Sequence, residues 1–311
     1  MDIGESVNVG MIEEFKKKCP FTARKNIESV SEEKEQPEDD DKDSVQSIQA
    51  NNGGVLGENL VSGSFGAEGT VNALFPPVSP PKTKLDPNKP VDTNRNGGGQ
   101  IHVKDDDNTY AFVVAAHHLI PGNGSLTKSE VYNYMCKGKS VSSADPQHTW
   151  EIEEHIGYNV NGAHNGVWLP GNYAIREGTS AKKKTWSAVV ETEPAWCLNY
   201  VMAVVKKTRR QFHDAHPEYN DNVRDLLDKI ATALLNHQIG CKECQEKKKI
   251  FPPFKIKKRL YGLSKELDSN LTGPPNGWNP IFMTSQKWKE ELLKEKKVLQ
   301  SAYEQANPEA G

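Results

Sequence analysis

For its first hundred residues this chain scatters its apolar positions in ones, twos and threes, with no sustained period of two or of 3.6. From Tyr110 the pattern changes. YAFVVAA, residues 110–116, is a short apolar run rich in β-favouring types and bounded by polar residues, which predicts a buried strand. LTKSEVYNYM carries Thr127 with Glu130 three residues on, a capping-box spacing that predicts a short helix. WEIEEHIGYNV predicts another helix ending at Gly157, VWLP a second strand stopped by Pro170, and TWSAVVETE a strand or turn. AWCLNYVMAVVKKTRRQF predicts a long, largely buried helix. Asp214 to Leu235 predicts another, because Val223, Leu226, Leu227, Ile230 and Leu234 recur at helical spacing behind Pro217 in the first turn. A short helix over Leu260–Leu271, the turn TGPPNGWNP and a charged amphipathic helix in SQKWKEELLKEKKVLQSAYEQ complete the globular part.

Composition sharpens the contrast between the two regions. Ile12 and Phe15 give a weak apolar face for a short helix at 9–18. Residues 31–43 then read SEEKEQPEDDDKD, and 44–100 are rich in Gly, Ser, Asn and Pro. Such segments bury too little surface to offset chain entropy, so residues 1–104 are expected to be a flexible, largely disordered arm. The low apolar content, 35%, and a mean hydropathy of -0.71 agree. The expected organisation is this arm, a globular domain at 105–236 and a helical extension at 237–311 packing on it. A net charge of -3 neither demands nor excludes a nucleic-acid partner. No apolar run approaches the roughly 18 residues of a membrane span, and no basic start precedes an apolar stretch, so export by a Sec-type signal is not expected. Five scattered cysteines make no disulfide framework.

Three histidine-bearing features carry the chemistry. His117-His118 close the first strand, where the turning chain can aim both imidazoles at one site, one binding a metal and the other taking a proton from water. NVNGAHNGVWLP places Asn161 and Asn165 around a Gly-containing turn. HDAHPEYN places His213 and His216 three apart at the entry of a helix, a spacing that can converge on one metal. Arg209 and Arg210 stand just before that pair and are candidates for contacting phosphates. Separately, Cys241 and Cys244 form a CxxC with His237 four residues upstream; a structural zinc wants four ligands, and Cys136 or Cys197 would have to supply the last. Metalloprotease HExxH, esterase GxSxG and P-loop motifs are absent.

FVVAAHHLIPG, GYNVNGAHNGVWLP and HDAHPEYNDNV, in that order, resemble the AHH nuclease family of bacterial polymorphic toxins, part of the HNH/endonuclease VII group. The resemblance covers roughly residues 105–236 and departs from the compact family pattern in the about forty residues between NGVWLP and HDAHPEYN. It implies an α+β fold with a ββα-metal (His-Me finger) core inside helical insertions. It also implies metal-dependent cleavage of a phosphodiester, in DNA or alternatively RNA. His118 would be the general base and His117, His213 and His216 the metal ligands. Asn165 would hold the base-bearing loop, and Asn161, Arg209 and Arg210 would meet substrate. One divalent ion is implied, Mg²⁺ in the first place, with Mn²⁺, Ni²⁺ or Zn²⁺ as alternatives. Should the His213/His216 pair lie elsewhere, Asn172 or His164 would replace it. The implied biology is that of an antibacterial effector made in the bacterial cytoplasm. It would leave without a Sec signal, by a type VI system whose carrier or adaptor reads the arm. It would act in the target-cell cytoplasm and be neutralised by an immunity protein. The competing class is a non-catalytic nucleic-acid or protein-binding adaptor that keeps the fold.

Overall fold

The computed structural model describes residues 3, 19–21, 51–62, 100–105, 108–143, 148–172, 186–253 and 256–306. Its strands are β1 (Gln100–Asp105), β2 (Asn108–His118), β3 (Ser140–Ser142), β4 (Thr149–Ile152), β5 (Gly166–Gly171) and β6 (Lys249–Ile250). Its helices are α1 (Gly53–Ser62), α2 (Trp186–Thr192), α3 (Pro194–Thr208), α4 (Pro217–Gly240), α5 (Lys242–Gln245), α6 (Ile256–Thr272), α7 (Lys289–Lys294) and α8 (Lys296–Ala306). The fold is α+β. The described residues fall into two compact units whose segments alternate along the chain. One is drawn from 1–51, 120–160 and 220–266, the other from 52–119, 161–219 and 267–311.

The second unit holds the antiparallel sheet β1-β2-β5. The pleat sends Phe112 and Val114 into a core with Trp168 from β5, Tyr200, Val201 and Val204 from α3, and Trp278, Trp288, Leu292 and Leu299 from the C-terminal segment. Leu56 and Leu60 of α1 belong to the same core and are essentially sealed from solvent. This corrects the sequence expectation for ten residues of the arm, and β1 corrects it for residues 100–104. Asn52 caps α1, its Oδ1 accepting from the Gly54 and Val55 N–H groups at 3.1 and 3.2 Å, and the i, i+4 leucines then bury a stripe long enough to order the segment. Cys19, Pro20 and Phe21 are also described, Phe21 being buried. The helix expected at 9–18, the acidic run and residues 63–99 lie outside the described residues.

The first unit holds the mixed sheet β3-β4-β6, with Val141 opposite Trp150 and Ile152 parallel to Ile250. Here WEIE is a strand, not the expected helix, since Trp150 and Ile152 alternate buried with half-exposed Thr149 and Glu151. LTKSEVYNYM forms two 3₁₀ turns, Leu126–Lys128 and Glu130–Tyr134, because Ser129 between them is extended. The anticipated capping box does not form: Thr127 Oγ1 donates to the Gly122 carbonyl, and the Glu130 N–H goes to Asp228. TWSAVVETE is helical over α2, anchored by buried Trp186. The C-terminal amphipathic helix is broken in two at Glu295.

Candidate active site

His117 and His118 lie inside the β2–β5 ladder, opposite Val167 and Gly166. The pleat therefore separates their side chains, and both are buried rather than solvent-open, at 4% and 7% exposure. His117 faces the HxxH segment. Its ring centroid lies 4.9 Å from that of His213 and 5.0 Å from that of His216. The Nε2 atoms of His213 and His216 are 3.1 Å apart. One ring nitrogen from each of the three histidines falls within 4.8 Å of the others. Burial pushes the His117 imidazole well below its ordinary pKa, and the neighbouring His213, His216 and His118 push it further.

The convergence follows from how the loop after α3 is fastened. Arg209 closes α3 in the left-handed conformation, at φ 58°. Gln211 then donates from its backbone to Leu271 and from Nε2 to Asn270, while its Oε1 accepts from the Thr284 N–H. His213 pairs with Gly171 at the end of β5, its N–H donating to the Pro170 carbonyl at 2.7 Å. The carboxylate of Asp214 accepts from Asn172 Nδ2 and Trp186 Nε1 at 2.9 and 2.8 Å. The long insertion thus returns to the strand it left, and His213 and His216 meet His117 from a loop just before α4, not from the helix itself.

A buried imidazole with neither nitrogen bonded is costly, and His117 is such a residue, since both Nδ1 and Nε2 lack a partner. Three imidazoles sharing one point, with an orphaned buried nitrogen among them, fit a divalent ion with nitrogen affinity.

His118 stands one pleat away. Its Nε2 is 2.8 Å from Asn161 Oδ1, which also accepts the Asn52 N–H at 2.9 Å. Because a backbone N–H can only donate, the shared amide atom is an acceptor, and the neutral His118 ring must donate from Nε2. Nδ1 then carries the free lone pair. Burial lowers the His118 pKa, partly offset by the bond to Asn161. Asn161, expected at substrate, is therefore occupied in orienting His118; its own carbonyl accepts from Asn59 Nδ2 of α1. Asn165 is fully buried, and its carbonyl accepts the Leu119 N–H at 2.9 Å, fixing the chain directly after His118.

Arg210 is a second correction. It is buried and donates from Nη1 to the Trp168 carbonyl, with Asp268 as its charged neighbour, so the guanidinium is used inside the fold. Arg209 is half-buried at the end of α3 behind Lys206 and Lys207. Asn172 is spent on Asp214, and His164 lies in the turn Ala163–Asn165, outside the three-histidine group. Sequence reasoning assigned no role to Tyr219, whose hydroxyl donates to the Leu119 carbonyl at 2.7 Å and whose ring edges against His117 and His216. Nor did it assign one to Asn52. In the other unit His237 and Cys241 gather with Cys19, whose Sγ lies 3.4 Å from Cys244 Sγ.

An antiparallel strand pair ends in two histidines, one facing the HxxH loop and the other held by an asparagine. Residues 104–251, somewhat under half of the chain, match AHH, a nuclease family of the HNH/ENDO VII superfamily with conserved AHH. Over these residues the chain is similar to that nuclease family, and Ala116-His117-His118 stands as its AHH triplet. No curated protein matches the chain, and no solved structure does.

Proposed function

We propose that the chain is a divalent-metal-dependent endonuclease that cleaves DNA as an antibacterial toxin. The observation that carries the reading is the meeting of His117, His213 and His216 beside a His118 whose Nδ1 is left free to accept a proton. His117, His213 and His216 would hold the ion, which when bound supplies positive charge to the phosphate and the leaving 3′-oxygen. His118, neutral at physiological pH because burial lowers its pKa, takes the proton of the attacking water on Nδ1. Asn161 fixes that tautomer, and Tyr219 and Asn165 hold the Leu119 backbone that follows. Arg209, with Lys206 and Lys207 in the preceding turn, is the candidate for phosphate contacts. The all-imidazole donor set favours Mn²⁺, Ni²⁺ or Zn²⁺ over Mg²⁺. Made in the bacterial cytoplasm and exported by a type VI system or a similar route, such an enzyme acts in the target cell and requires an immunity protein in its producer.

The test is expression in a bacterium with and without His118→Ala, followed by inspection of chromosomal DNA and total RNA and by incubation of purified protein with plasmid and with RNA. Growth arrest with degraded DNA, abolished in the variant, is expected. Degraded RNA with intact DNA would overturn the DNA assignment, and toxicity undiminished in the variant would overturn the catalytic one.

A further inference from the structure

The first unit contains a second cluster of soft ligands, none of which the nuclease chemistry uses. Cys19, His237 and Cys241 each offer a ligand atom, all within 4.8 Å of one another. Cys244 Sγ lies 3.4 Å from Cys19 Sγ, although the two residues are 225 apart in sequence. That distance is far longer than the roughly 2.05 Å of a disulfide and close to the roughly 3.8 Å that separates two sulfurs on one tetrahedral ion with bonds near 2.3 Å. Cys19 thus stands with His237 and Cys241 where the sequence offered Cys136 or Cys197, and Cys244 adjoins the group through Cys19. Cys197 is buried in the core of the other unit, and Cys136 neighbours Tyr132.

We propose that Cys19, His237, Cys241 and Cys244 form a Cys₃His structural zinc site that staples the Cys19-Pro20-Phe21 segment to the end of α4. The local structure is shaped for it. His237 sits in the last turn of α4, Cys241 is the extended residue that opens α5, and Cys244 follows one turn later and is buried. The groups around the ligands orient them, as outer partners do at metal sites. The Phe21 backbone N–H bonds the Cys19 sulfur, and the buried Trp150 Nε1 donates to the Cys244 carbonyl at 2.9 Å. The Phe21 ring packs on His237 and Tyr134 at 6.5 and 6.0 Å between centroids. Four protein ligands leave no open position for substrate, so the site is structural, not catalytic.

Cobalt reports on this site separately from the three-histidine centre, because only thiolates give sulfur-to-cobalt charge-transfer bands. The full chain carrying His117→Ala, purified under reducing conditions, should bind one Co²⁺ with those bands and tetrahedral visible bands, both removed by zinc. Cys19→Ser should weaken the ion on the order of 100-fold and remove about a third of the charge-transfer intensity, whereas Cys136→Ser and Cys197→Ser should leave both unchanged. Should Cys19→Ser not fold, iodoacetamide labelling of the unaltered chain decides: zinc should protect Cys19, Cys241 and Cys244, and a chelator should expose them. Cobalt bound without charge-transfer bands, Cys19 alkylated at the same rate with and without zinc, or a Cys19–Cys244 disulfide in the reduced preparation would each overturn the assignment.

Discussion

Asn161 is where the structure makes its most specific claim about catalysis, and a pair of substitutions there tests it. Asn161→Leu keeps the volume but removes the acceptor shared by His118 Nε2 and the Asn52 N–H, at 2.8 and 2.9 Å. Each buried donor left unpaired costs about 1–3 kcal/mol, so the Nε2–H tautomer loses its advantage and the ring can turn away or move its proton to Nδ1. General-base catalysis contributes about 10²–10⁴ in rate. Asn161→Leu should therefore lower kcat by about 10²-fold or more, with KM and metal affinity little changed. Asn161→Asp keeps the acceptor and adds a negative charge. A hydrogen bond to a charged group is worth about 1.5–3 kcal/mol, which at 1.36 kcal/mol per pH unit should raise the His118 pKa by roughly 1–2 units. Activity requires the neutral ring, so the acid limb of the kcat profile, which burial sets below 6.5 in the unaltered protein, should move to higher pH by that amount while the plateau largely survives. Plasmid cleavage across pH at saturating metal measures both. An acid limb that does not move in Asn161→Asp, or an Asn161→Leu variant with more than a tenth of the parent kcat, would refute the role of Asn161 in holding the base.

Three further outcomes follow from the same geometry. His118→Ala should lose about 10²–10⁴ in rate while keeping metal affinity, whereas His117→Ala should weaken the metal as well, as calorimetric titration with Mn²⁺, Ni²⁺, Zn²⁺ or Mg²⁺ would read out. Without metal, thermal stability should fall as pH drops below about 6.5: His117 and His118 have folded pKa values lowered by burial, so in that window the unfolded chain binds more protons and acid favours it. A melting temperature independent of pH between 5 and 7.5 would contradict this. Leu56→Ala should cost about 2–5 kcal/mol in a denaturant titration, because Leu56 is fully buried and lies so near Gly166, opposite His118, that a Cβ on that glycine would come within 2.7 Å of Leu56 Cδ1.

How much of this was legible in the sequence depended on whether the signal was local. The run YAFVVAAHH announces a buried strand because its apolar density needs no partner to be read, and the structure places β2 there. The meeting of His117 with His213 and His216 was readable only as three ordered motifs. What closes the forty-residue gap is a tertiary fastening through Pro170, Thr284 and Leu271 that no spacing rule contains. Short amphipathic stretches misled: WEIE has too few residues to separate a period of 2 from 3.6, and its pairing with Val141 and Ile250 decided the matter.

The first hundred residues show the limit of composition most clearly. Averaged over 44–100, Gly, Ser, Asn and Pro argue for an unpacked arm, and that average hides Asn52 and the leucines four apart that follow it. Yet this short element bonds Asn161 twice, through the Asn52 N–H and Asn59 Nδ2, and so fixes the residue that orients His118. Cys19 is the parallel case, a lone cysteine in a polar stretch that gains meaning only beside Cys241, Cys244 and His237. In both places the part of the chain that looks least able to fold supplies hydrogen-bonding groups or a thiol to residues far downstream. Removing residues 1–62 as dispensable would take Asn52, Asn59, Leu56 and Cys19 together, and with them the hydrogen bonds that hold Asn161 and the thiol that meets His237 and Cys241 at the end of α4.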